Sequence, residues 1–136
     1  MPGSKSDYLE AKALDHILGG PDFTRPATVY AALFTTAPSD AGGGVEVSGG
    51  SYARVGITNN ATNFPAASGT TTIKQNGTAI TFPRATAAWG TVVAWELLDA
   101  ATAGNLLFWG TLTTSKVVAI DDTPSFGPGA LTITED

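Results

Sequence analysis

Few side chains in this sequence are equipped for chemistry: one histidine, a thin scatter of carboxylates, and three tryptophans with three tyrosines. Any histidine-dependent triad or zinc site would have to use His16. That residue shares the polar side of a helical stretch with Lys12 and Asp15, and no G-x-S-x-G nucleophile motif accompanies it, so it reads as a solvated helix residue. Asp40 and Glu46 bracket the Gly42, Gly43, Gly44 run, Glu96 and Asp99 close a strand, and Asp121 and Asp122 sit in a turn. A glycosidase needs two carboxyls across one cleft, and calcium needs six or more converging oxygens. Neither follows from these spacings, so the carboxylates read as turn residues that cap backbone groups, with a small opening for calcium at Asp121, Asp122 and Thr123. Trp89, Trp95 and Trp109 with Tyr8, Tyr30 and Tyr52 could form a sugar-stacking platform. Trp95 and Trp109 alternate with apolar neighbours as core residues do, which leaves Trp89, beside Gly90, as the candidate exposed aromatic. Arg54 is either a subunit-contact arginine or a surface charge. The glycine run leads into Val45, Glu46 and Val47 with no Lys-Ser/Thr and no helix start, so it is a shaped loop and not a phosphate cradle.

The elements that must hold these residues are mostly strands. Residues 28–35 place Val29, Ala31 and Leu33 on one face and Tyr30, Ala32 and Phe34 on the other, and a strand apolar on both faces is central to its sheet. The chain re-enters a sheet at 52–58, with Val55 and Ile57 in phase and Tyr52, Arg54 and Gly56 opposite. Residues 70–75 and 78–82 flank Asn76-Gly77, the dipeptide of a tight hairpin. In 91–98, Val93, Trp95 and Leu97 oppose Val92, Ala94, Glu96 and Leu98. In 105–113, Leu106, Phe108 and Leu112 oppose Leu107, Trp109 and Thr111. Short strands follow at 116–120 and 130–134. Residues 7–18 form the one helix, with Leu9, Ala13, Leu14, Ile17 and Leu18 on one side, Ser6 or Asp7 as cap, and Gly19, Gly20 and Pro21 as stop. So short a helix must dock, on its own sheet or on a neighbouring subunit.

The expected fold is a mostly β, antiparallel sandwich of jelly-roll or immunoglobulin-like type with one short N-terminal amphipathic helix. Residues 1–6 read as a flexible arm, and 7–136 as one domain that buries roughly 68% of its unfolded surface. With no cysteine, the fold stands on packing alone. Only 14% of the residues are charged and the net charge is −5, which disfavours nucleic acid. No apolar run spans a bilayer or serves as a signal peptide, which points to synthesis in cytosol. Three strands are apolar on both faces, although a two-sheet sandwich should leave one face of each wet. The helix and loops cover those faces, or other chains do.

The segments SDYLEAKALDHILGG and VYAALFTTAPSDAGGGVEVSGGSYARV, continued by NGTAITFP, AAWGTVVAWELLDA, GNLLFWGTLT and FGPGALTITED, carry a family resemblance over nearly the whole chain. They resemble small virion proteins of tailed bacteriophages, often labelled tail fibre proteins and similar to capsid decoration (cement) proteins. The resemblance implies a non-enzymatic structural protein without cofactors or metals, made in the host cytoplasm and resident in the virion. It further implies a decoration protein that stabilises the head shell, with the major capsid protein and itself, as a homotrimer, for partners and neither nucleic acid nor membrane. The alternative it implies is a tail-fibre or tail-tip adhesin for a host receptor. The candidate interface residues are Leu9, Ala13, Leu14 and Ile17 on the helix, Asp40, Glu46, Tyr52 and Arg54 around the glycine loop, and Trp89.

Overall fold

A computed structural model describes residues 3–135. Its spine is a six-stranded antiparallel sheet of β1 (Ser4–Lys5), β8 (Leu106–Val118), β7 (Gly90–Leu98), β2 (Thr28–Thr36) and β3 (Val45–Glu46), with β4 (Val55–Thr58) also paired to β2. As its two apolar faces require, β2 is central: β7 lies along one edge, and β4 and β3 take opposite ends of the other. Two small antiparallel ladders join β5 (Ile73–Gln75) to β10 (Thr132–Thr134) and β6 (Ile80–Thr81) to β9 (Ser125–Phe126). They complete a sandwich-like, mostly β fold. Leu33, Val92, Trp95 and Leu97 of the large sheet pack with Ile80, Phe82, Leu131 and Ile133 from the ladders and their flanks, and Phe64 anchors the preceding loop in the same core.

One strand runs longer, several run shorter, and the pairing differs from what the local pattern predicts. Residues expected as two strands, 105–113 and 116–120, form the single strand β8, whose register against β7 shifts between Val92 and Ala94 and again between Leu97 and Leu98. A bulge adds residues on one strand, so strict alternation fails across it. That is why Val92, not Val93, joins Trp95 and Leu97 in the main core, and why Leu107, Phe108 and Leu112 all face that core.

The Asn76-Gly77 hairpin does not form: β5 pairs with β10, and β6 with β9. Asn76 is buried, and its side chain replaces missing backbone partners. Nδ2 donates to the Thr78 and Gly127 carbonyls at 2.9 Å each, and Oδ1 accepts from the Leu131 amide at 2.9 Å. Gly77 lacks the positive φ of a primed turn and is small because the Thr62 carbonyl and the Pro65 ring lie against it.

The expected arm is part of the sheet over the residues described. Gly3 bridges to Ile133, and Ser4 and Lys5 pair with Trp109 and Phe108, while Met1 and Pro2 lie outside the described residues. Gly3 and Gly110 form a slot for the Trp95 indole. A Cβ on Gly110 would stand 2.6 Å from Trp95 Cζ2, and one on Gly3 would also collide with that ring. Gly110→Ala is therefore expected to destabilise by about 2 kcal/mol, measured by urea unfolding, because the ring is buried in the packed core.

Helix α1 (Asp7–Ile17) begins where Ser6 Oγ accepts from the Leu9 amide at 3.2 Å and donates to the Leu106 carbonyl. Gly19, with φ +82°, and the Gly20 amide bonded back to the Asp15 carbonyl end it. Leu9 alone of the apolar stripe is buried and Ala13 is half-buried, but Leu14, Ile17 and Leu18 are 64, 74 and 75% exposed. The helix thus docks on its own sheet by its first turn only.

Candidate functional site

The densest polar cluster joins three residues that the sequence analysis placed around the glycine loop. Glu46 lies on edge strand β3, opposite Phe34, and Arg54 immediately precedes β4, the other strand on that edge of β2. The Arg54 guanidinium grips the Glu46 carboxylate as a fork, with Nε to Oε2 and Nη2 to Oε1 both at 2.9 Å. Its Nη1 donates to the carbonyls of Ala100 at 2.9 Å and Ala103 at 2.8 Å. Arg54 is therefore neither a free surface charge nor an open contact arginine, because it ties the β7–β8 turn to the β3 and β4 edge of the sheet. The Tyr52 hydroxyl donates to Glu46 Oε2 at 2.7 Å and accepts from the Leu33 amide at 3.0 Å.

Electrostatics follow from this packing. Burial pushes the Glu46 carboxyl up, but the hydrogen bonds from Arg54 and Tyr52, with the Arg54 charge, more than reverse it and leave it below the usual range. Burial, then the bond to Glu46, holds the Tyr52 phenol well above its ordinary value. Glu96 departs from the expected turn-capping role, being 4% exposed within β7. Burial, followed by repulsion from Glu46, pushes its carboxyl up to about 7, with Arg54 opposing.

The aromatic expectations divide. Trp95 is core, as its alternation implies, but Trp89 is buried at 6% and not exposed. Its ring meets Tyr52 edge-on at 5.3 Å between centroids, and its Nε1 donates to the Gly50 carbonyl at 2.9 Å. The Tyr52 ring, expected opposite Val55, turns into the same core as Val55 because it lies before the strand begins. Both are consumed by packing, and no sugar platform forms from them. Trp109 is half-buried, and its Nε1 donates to Asp40 Oδ1 at 2.7 Å. The Asp40 carbonyl in turn accepts from the Asp7 amide, so Asp40 pins the glycine loop to the start of α1.

The remaining ionisable residues do local work. Asp99 accepts from the Asn105 amide and side chain, Asp122 accepts from the Ala119 amide, and Asp121 pairs with Arg84 at 2.9 Å. His16 Nδ1 accepts from the Phe23 amide at 3.1 Å. Among the described residues no three His, Asp or Glu side chains converge as metal ligands, and no helix is long and apolar enough to cross a membrane.

Two features near α1 are not absorbed by the fold. One is the exposed Leu14, Ile17 and Leu18 surface of α1. The other is an apolar groove of about 660 Å³ beside the base of α1, which passes over Val29, Leu97 and Leu107. The model of one protein family matches residues 4–134, from the first residue of β1 to the last of β10. The chain belongs to that family, Podophage GP4 fiber I protein gp80. No curated protein matches the chain.

Membership in the gp80 fibre family makes this a bacteriophage structural protein of fibre type and a component of the virion, in agreement with the coarse part of the sequence resemblance. Head decoration is a finer statement than the gp80 match carries. The groove was missed from sequence because its lining comes from segments far apart in the chain, from Leu9 and Phe23 to Ile133. Of the candidate interface residues, Leu14 and Ile17 are on open surface, whereas Leu9 and Trp89 are buried and Glu46, Tyr52 and Arg54 are engaged with one another.

Proposed function

We propose that this chain is a non-enzymatic structural module of a tailed-phage virion, positioned at a fibre, that works by contact with other virion proteins. The observation that supports it most is the fibre-family match over the whole folded domain. The use of ionisable side chains agrees with it: Arg54, Glu46 and Asp40 link distant parts of the fold, and Asp99 and Asp122 tie local turns. Contact is made through what the fold leaves open, the outer half of α1 above all.

Head-shell decoration is the second reading, favoured by a charged fraction of only 14%. Its other support, the outward apolar sides of the central strands, is lost. Ala32, Phe34, Ala94 and Leu98 form a second cluster that is already buried within one chain. Copy number separates the readings. Quantitative mass spectrometry of purified particles is expected to find the chain scarce relative to the major capsid protein, with labelled antibody at the tail. Abundance close to that of the capsid protein, with label over the head, would establish decoration instead, and absence from particles would refute both.

A further inference from the structure

We propose that the outer half of α1 in one copy of this chain seats in the apolar groove of another copy, making a heterologous, head-to-tail contact. The inference deepens the structural-virion reading and takes its biological setting from it. Both halves of the contact are present and unpartnered in the single chain. Leu14, Ile17 and Leu18 present three large aliphatic side chains to solvent on a helix that its own sheet holds only by the first turn. Three such residues adjacent on one surface are unusual unless something covers them.

The groove supplies the matching shape. At about 660 Å³ it has room for several aliphatic side chains, and its floor of Val29, Leu97, Leu107 and Ile133 is apolar. Charge selects the occupant. Arg25 and Lys74 stand on the rim, and neither has an ion-pair partner among the described residues. The acid in the lining, Glu135, is held by Lys5 at 2.6 Å. The rim is thus cationic on a chain whose net charge is −5. The helix tip carries the opposite sign, with Asp15 exposed beside Leu14 and with Asp22 just beyond the helix stop. An apolar knob flanked by acids meets an apolar groove flanked by bases. Because knob and groove are different surfaces, one such contact leaves a knob and a groove open at its two ends, and its repetition closes into a ring or continues as a filament.

The test is self-association of the full chain, followed by sedimentation velocity from about 1 to 300 μM. The wild type is expected to form oligomers as concentration rises. Ile17→Asp on the knob and Lys74→Glu on the rim are each expected to weaken association by about tenfold or more. Ile17 is exposed and Lys74 is half-buried on β5, and unchanged thermal unfolding shows that the fold is kept in each variant. The decisive step is mixing two defective variants. Ala67 also lines the groove, so Ile17→Asp retains a groove and Ala67→Trp, which fills the groove, retains a knob, and the mixture is expected to give heterodimers that neither forms alone. A wild type that stays monomeric throughout overturns the proposal, as does association that Ile17→Asp leaves unchanged or mixing that restores nothing. A monomer whose groove binds the anionic apolar dye anilinonaphthalene sulfonate, with Lys74→Glu abolishing the binding, would assign the groove to a small amphiphile instead. None of these failures touches the presence of the chain in particles, which the copy-number measurement reads separately.

Discussion

Alanine in place of Arg54 is expected to lower the unfolding free energy by about 3 kcal/mol, read from urea denaturation as a fall in midpoint at nearly constant slope. The guanidinium makes four hydrogen bonds, two to Glu46 and two to the carbonyls of Ala100 and Ala103, and its side chain is only 10% exposed. Truncation leaves the Glu46 carboxylate with Tyr52 as its remaining partner and frees the turn between β7 and β8. Removing one partner of a shielded pair costs more than removing both, because the orphaned charge keeps its desolvation penalty. Arg54→Ala combined with Glu46→Gln is therefore expected to be less destabilised than the sum of the two single variants, with a coupling of about 1–2 kcal/mol. Arg54→Lys restores a charge but not the fork, and should recover less than half of the loss. A change within about 0.5 kcal/mol for Arg54→Ala would show the cluster to be incidental to stability.

Glu96→Gln is expected to stabilise the protein at pH 8 by about 3 kcal/mol and to leave it nearly unchanged at pH 4. In the folded state burial holds the Glu96 carboxyl at about 7, above its unfolded value of 4.5. Between those two values the folded chain retains a proton that the unfolded chain has released, so stability falls as pH rises through the window. Each tenfold change in proton affinity is worth about 1.4 kcal/mol, which puts the full penalty on the order of 3 kcal/mol above pH 7. Glutamine imitates the protonated acid and removes the slope. Glu46 works in the opposite direction: its folded carboxyl lies below 4.5, so its stabilisation is complete above that value and is lost as pH falls below it. Thermal melts from pH 3 to 9 on the wild type and on Glu96→Gln check both arms. Parallel curves for the two proteins would sink the assignment to Glu96.

The two effects meet at one place, since Glu46 raises the Glu96 carboxyl and Arg54 lowers it. Arg54→Ala should therefore extend the window of falling stability to higher pH. This link between a strand of the sheet interior and its edge is invisible in the sequence, where Arg54 and Glu96 stand 42 positions apart.

Sequence alone determined the mostly β class, the central position of β2, the cap and stop of α1, the core placement of Trp95 and membership in a phage virion family. Each of these rests on local evidence: alternation within one strand, capping residues within a turn, or motifs read along the chain. Tertiary structure decided the rest. Asn76-Gly77 has hairpin chemistry, yet Asn76 satisfies backbone groups around residues 127–131 and the flanking segments pair elsewhere. Trp89 stands beside a glycine in what reads as a turn, but the Gly50 carbonyl and the Tyr52 ring bring it inside. The helix stripe is plain in the sequence, and only the position of the sheet beneath Leu9 decides that Leu14, Ile17 and Leu18 stay outside. The common reason is that a burial pattern specifies how much apolar surface must be covered, whereas long-range pairing chooses which neighbour covers it.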